Sequence, residues 1–228
     1  MSEPDPIAGG KFDRPPGPTE ELVATTRHPG RRVALTFDDG PDPGYTPRIL
    51  DLLAAHGITA TFCLIGRNAR RRPELVARIA AAGHVLANHT MTHPDLTKLT
   101  PDEIHLELSA ASEAIRDAAP DAPLRFFRAP FGGWTTMVRV IAMDLGLQPL
   151  DWSVNPCDWA NPGADRIVGA VERDLKPGGV VLLHDSAHDI DGDTNRGQTV
   201  AAVETLIPRL LAKGYEFDLP ALPVERDS

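Results

Sequence analysis

Cysteine is almost missing from this chain, with only Cys63 and Cys157 among its 228 residues. Two thiols are too few for a disulfide framework, so both are expected free, Cys63 in an apolar strand and Cys157 in a loop. Basic charge is also short: 23 Lys and Arg stand against 32 Asp and Glu, for a formal net charge of -9. A nucleic-acid partner needs a clustered basic face, so none is expected. The one basic cluster, RNARRR at 67–72, reads as a solvated loop between a strand and a helix. No apolar run has transmembrane length, which excludes a helical membrane span. The N-terminus, MSEPDPIAGGKFDRPPGP, has no apolar core of the kind a signal peptide needs. The chain is therefore expected to be cytosolic, or else a targeting segment is missing from this stretch.

What is present suits one sizeable α/β domain: 42% hydrophobic and 24% charged residues over 24.6 kDa can bury a substantial core. Residues 1–30 read as a flexible Pro/Gly-rich arm, 31–220 as the domain and 221–228 as a charged tail. Strands are expected at 33–37, 59–65, 84–88, 126–129, 148–154, 180–183 and 215–219. Between them fall helices at 46–56, 73–82, 100–118, 135–145, 164–175 and 199–212. Thr100-Pro-Asp-Glu opens one helix with an N-cap, an N1 proline and an acid at N3, and Gly57, Gly83, Gly146 and Gly214 stop others. Such alternation predicts a parallel sheet with right-handed crossovers, either open and doubly wound or closed as a barrel.

The carboxyl ends of the expected strands collect an unusual set of side chains. The first ends in Asp38-Asp39, the third in Asn88-His89-Thr90-Met91-Thr92-His93, the fourth in Arg128-Ala129-Pro130-Phe131-Gly132-Gly133-Trp134. The fifth runs into Asp151-Trp152 and on to Asn155-Pro156-Cys157-Asp158-Trp159, and the sixth ends in His184-Asp185. A barrel delivers every strand's carboxyl end to one mouth, which favours it over the open sheet. Two adjacent carboxylates repel each other, and a metal ion or a fixed cation is the cheapest compensation; a solvated Asp-Asp-Gly turn is the plain alternative. His89 and His93, placed on a loop by Pro94, join a carboxylate in a set that suits a divalent metal and leaves positions open for water and substrate. Arg128 would pair with the spare acid, with a surface salt bridge as its ordinary alternative. His184 is either a structural histidine or a proton carrier. Trp152 is expected in the core, and Trp159 as a wall against a sugar ring. His28, His56, His84, His105 and His188 are given no chemistry.

TFDDGPD, NHTMTH, RAPFG, the NPCDW segment and VVLLHD, in this order and at these intervals, resemble the polysaccharide deacetylase family, the NodB-homology domain also called carbohydrate esterase family four. The resemblance spans about residues 32–219. It implies a distorted (β/α) barrel of about seven parallel strands in a single domain, and a hydrolase that removes acetyl groups from N-acetylglucosamine units of chitin, chito-oligosaccharide or peptidoglycan. O-acetyl esters of xylan, a small acetylated metabolite, or a non-catalytic sugar-binding barrel are the alternatives. It implies one divalent metal, zinc before cobalt, nickel or iron, held by Asp39, His89 and His93. Asp38 would be the general base, Arg128 its holder, His184 the general acid, and Asp158 the group that tunes it. Phe131, Gly132, Trp159 and Leu182 would form the oxyanion and substrate surface, the Phe131 N–H donating to the oxyanion. Asn155 stands where family members often carry an acid, and Phe131 where tyrosine is frequent. Relatives are usually secreted or in the cell envelope. A monomer with an acetylated carbohydrate as its partner is expected.

Overall fold

The computed structural model describes residues 22–188 and 195–221. Among them the chain runs β1 (Arg32–Asp38), α1 (Thr46–Ala55), β2 (Thr61–Leu64), α2 (Gly66–Arg71), α3 (Pro73–Ala81), β3 (Val85–Asn88) and α4 (Pro101–Ala118). It continues through β4 (Leu124–Phe127), α5 (Thr136–Asp144), β5 (Gln148–Pro149), α6 (Ala164–Asp174), β6 (Gly179–His184), α7 (Gly197–Ala212) and β7 (Glu216–Phe217). Every pairing between these strands is parallel, in the order β5-β4-β3-β2-β1-β6, with β7 beside the start of β1. This is the distorted (β/α) barrel expected, in one domain.

Alternation along the strands sorts two faces. Val33, Leu35 and Phe37 of β1, with Phe62, Leu64, Leu86 and Phe127, pack outward into the large core under the helices. The inner face is lined by smaller groups, and Cys63, Ala87, Phe126 and Leu150 form a separate cluster there. That small lining leaves room inside the curled sheet for one long side chain, Arg128, which is fully buried. Leu150 N–H donates to the Phe127 carbonyl while Val154 bridges Val181 of β6. Residues 150–154 thereby join the two ends of the sheet.

Several expectations need correction. RNARRR is a helix, α2, whose Asn68 and Ala69 are buried. Its first N–H groups are engaged by the β3 exit loop, Gly66 donating to the Thr90 carbonyl and Arg67 to that of Met91. β5 is two residues long rather than seven, because Pro149 offers no N–H and the chain then leaves β4 for β6. β7 is likewise cut to Glu216–Phe217. The arm ends earlier than residue 30: Val23 bridges Leu150, Thr25 bridges Gly179 and Thr26 bridges Pro220, so residues 22–28 belong to the folded body. The expected arm at 1–21 and tail from 222 lie outside the described residues.

Candidate active site

All the strand exits open on one mouth, and the two acids of β1 meet different partners there. Asp38, 3% exposed, accepts from Arg128 Nη1 at 2.7 Å. That guanidinium also donates to Thr36 Oγ1 at 2.8 Å, to the Leu150 carbonyl at 3.4 Å and to the Asp151 carbonyl at 3.2 Å. An uncompensated buried arginine would be costly; the carboxylate and the carbonyls meet that cost and fix the head group. Asp39 stands in the left-handed region at φ 75, which turns its side chain away from its neighbour's. Its Oδ1 lies 3.5 Å from His89 Nε2 and 3.4 Å from His93 Nε2.

The turn carrying these acids is braced from behind. Gly40 has no side chain because a Cβ there would run into the Asp185 carboxylate. Asp185 N–H donates to the Asp38 carbonyl, and Thr46 Oγ1 donates to Asp185 Oδ2. Asn68 of α2 donates to the Asp39 carbonyl at 2.8 Å. Burial pushes the Asp185 carboxyl up to about 7, against the donation from Thr46 and with help from the charges of Asp39 and Asp42.

The histidine loop is held with equal care. His89 Nδ1 donates to the Arg128 carbonyl at 2.8 Å, which fixes the ring's orientation and turns Nε2 towards Asp39. Glu107 of α4 accepts from the N–H groups of Met91 and Thr92 and from the Thr92 hydroxyl. His93, at φ 64, is pushed down to about 3 by burial and by His89, so it stays neutral, the form that ligates a metal. Asp39 works the other way: burial would raise it, but His89, His184 and His93 hold it well below the usual carboxylate range.

One ligand atom from each of Asp39, His89 and His93 falls within 4.8 Å of the others. Asp39 Oδ1 is buried and accepts no hydrogen bond. A buried carboxylate oxygen facing two imidazole nitrogens with no hydrogen bond lacks a cation, and an Asp-His-His set fits a divalent metal ion.

Across the mouth, β1 and β6 are in register at Asp38 and His184, so the two side chains leave adjacent strands at one level. Asp158, fully buried, accepts from His184 Nδ1 at 2.7 Å and from His184 N–H at 2.8 Å, and Thr199 Oγ1 donates to it at 2.8 Å. Burial would lower the imidazole, but the Asp158 charge and hydrogen bond outweigh it and raise His184 to about 9. Asn155 does not reach this pair; its side chain accepts from Cys157 N–H at 2.9 Å and shapes the loop. Phe131, at φ 57, is 61% exposed, and Trp159 is 45% exposed. Gly132 stands against the ring of Trp152, which is only half-buried beside Arg128 and so lines the site rather than the core. Leu182 is level with Thr36, two residues beneath Asp38, and buried at 4%. It floors the mouth instead of walling it.

His188, given no chemistry on sequence grounds, stands at the site as well. Its ring stacks on His93 with centroids 4.6 Å apart and an 18° angle, and its Nδ1 lies 3.9 Å from Asp39 Oδ2. Its nearness to the β6 exit is the sequence signal that could have found it.

The residues 25–150 match the family model for polysaccharide deacetylases. A chitooligosaccharide deacetylase of Bradyrhizobium sp. (strain ANU 289) is 48% identical over 198 residues, 84% of this chain and 90% of that protein. The crystal structure of a peptidoglycan N-acetylglucosamine deacetylase in complex with a hydroxamate-type benzamide superposes with a TM-score of 0.80 at 36% identity, covering 87% of this chain and 90% of that one. A family-four pseudoenzyme from Bacillus anthracis gives 0.76 at 31% identity, covering 86% and 66%. With its motifs gathered at one mouth of the expected barrel, and with relatives of this similarity along most of its length, the chain belongs to the polysaccharide deacetylase family.

Proposed function

We propose that this protein hydrolyses the acetamide of N-acetylglucosamine units, in chito-oligosaccharide or peptidoglycan, with Asp38 as general base and His184 as general acid around a divalent ion, zinc before other metals. One observation carries the reading: the adjacent acids are separated, Asp38 onto Arg128 and Asp39 between His89 and His93, while His184 faces them on its own carboxylate. A sugar-binding module has no use for a base and an acid on two sides of a cation site.

An ion held by Asp39, His89 and His93 supplies, when bound, Lewis-acid polarisation of the acetyl carbonyl and a lower pKa for the attacking water. Asp38 takes the proton of that water, its carboxylate aimed by Arg128. The Phe131 N–H donates to the oxyanion as the carbonyl carbon becomes tetrahedral. Leu182 and Trp152 give the acetyl methyl an apolar floor. His184, protonated through its contact with Asp158, delivers a proton from Nε2 to the departing nitrogen, a poor leaving group without it.

The test is acetate release from chito-oligosaccharides, peptidoglycan fragments and acetylated xylan, with chelator and with metal restored. Release from the N-acetyl substrates, lost with chelator and regained with zinc, is expected. Asp38→Asn should cut the rate about 10³-fold while zinc stays bound. An Asp38→Asn protein of full activity, or release from xylan alone, overturns the assignment.

A further inference from the structure

The His188 imidazole has one face on His93 and its edge against Phe131, the Phe131 centroids lying 5.6 Å away at 79°. His93 itself meets Phe131 edge-to-face at 4.7 Å. Of this three-ring cluster, His93 is sealed at 6% side-chain exposure, whereas His188 remains 49% exposed. The outer face of His188 is therefore open to solvent directly over a metal-site histidine. Its Nδ1 is not near enough to complete the Asp39, His89 and His93 set. The backbone that carries the ring is also anchored: the Arg67 guanidinium of α2 donates to the His188 carbonyl. Arg67 N–H bonds the Met91 carbonyl of the histidine loop at 3.0 Å. One residue thus ties the β6 exit to the β3 exit, a second role at the site for the helix whose Asn68 braces the Asp39 carbonyl.

We propose that His188 is a substrate platform: its free ring face packs against the apolar C–H face of the acetylated sugar whose acetyl group reaches the metal site, and Arg67 is the strut that holds the platform over His93. The inference rests on the deacetylase reading for the identity of the sugar. A flat aromatic face adjoining an exposed second ring, Phe131, suits a pyranose, whose axial hydrogens present an apolar surface. The platform acts in binding and not in proton transfer.

The test compares zinc-loaded wild-type, His188→Ala, His188→Phe and Arg67→Ala proteins by steady-state acetate release from chitotetraose. Calorimetric affinities for the same oligomer and for zinc run in parallel. Losing one ring contact should raise KM and the oligomer Kd about three- to tenfold in His188→Ala, with kcat and zinc affinity within about twofold of wild type. His188→Phe keeps the flat face and should restore both constants; Arg67→Ala should move them in the same direction as His188→Ala, but less. An unchanged oligomer Kd in His188→Ala overturns the platform. So does a loss of zinc affinity in step with KM, because His188 would then act through Asp39. A wild-type protein that binds chitotetraose but releases no acetate overturns the deacetylase reading instead, and the calorimetry still judges the platform.

Discussion

Asp158 Oδ1 sits 2.7 Å from His184 Nδ1, and it raises that imidazole to about 9 against the opposing effect of burial. The acid role proposed for His184 needs the protonated ring, so on that proposal activity is present below this value and lost as pH rises through it. In Asp158→Asn the hydrogen bond can persist while the charge goes, and the His184 value must fall towards the ordinary histidine range. A pH profile of kcat should show the alkaline limb near 9 in wild type and displaced to lower pH in the variant; an unmoved limb would detach Asp158 from the acid. At this scale the strand-end residues were legible in the sequence because acids, imidazoles and an arginine at strand exits have few cheap reasons to gather. Which acid takes which partner was not legible from composition or spacing, since it depends on the positive φ of Asp39 and on an arginine buried inside the curled sheet. His188 was missed for another reason: its place just past the β6 exit was a weak signal, and the rings it meets, His93 and Phe131, come from distant exits.

Helix α4 was readable to its cap. Thr100 accepts from Glu103 N–H and the Glu103 carboxylate accepts from Thr100 N–H, closing the capping box the sequence announces. The helix presents Glu107 to the histidine loop, but the cap lies two turns away. Thr100→Ala is therefore expected to cost about 1 kcal/mol of stability, read in a urea titration, with zinc affinity unchanged. A matching loss of zinc affinity would mean that the loop follows the helix end. Helix α2 was not readable, since it is six residues long and its buried face is Gly66, Asn68 and Ala69, with no apolar side chain larger than alanine. It is stabilised by carbonyls of the β3 exit loop, which a local pattern cannot display. The end of β5 was misplaced because the apolar run through Val154 continues past Pro149 while changing partner from β4 to β6.

For the molecule as a whole, the alternation of strands and helices gave the barrel class, and the segment before β1 was the part misjudged. Val23 N–H donates to the Pro149 carbonyl, Asp151 N–H to the Val23 carbonyl, and Thr26 N–H to the Gly178 carbonyl. His28 N–H donates to Asp218 at 2.9 Å. Proline and glycine around these residues hide a ladder that only the closed sheet offers. Deleting residues 1–21 removes none of these bonds, whereas deleting 1–28 removes them all. At about 1 kcal/mol for each bond, the longer deletion should lose a few kcal/mol and several degrees of Tm in a thermal melt, and the shorter one little. Equal melts for both deletions would refute the placement of residues 22–28 in the folded body. Burial would raise Asp218, but the donors of His28 and Leu219 hold it below its ordinary value. That contribution is present at neutral pH and fades as the solution is acidified through the folded-state value, so the gap between the two deletions should narrow in strong acid by the Asp218 share while the backbone bonds keep the rest.

Residues 150–158 form a single strap across the sheet seam. The Leu150 and Asp151 carbonyls grip Arg128, and Asp158 at the far end grips His184. Asp39, His89 and His93 follow the ends of β1 and β3, outside that strap. Order of assembly follows from this division. On the roles proposed above, a chain folded through its central strands can already hold an ion, yet neither Asp38 nor His184 is set until the strap docks. The seam then acts as a safety catch: partial opening there silences hydrolysis first and releases the ion only later, so a nearly folded molecule is a metal carrier before it is an enzyme.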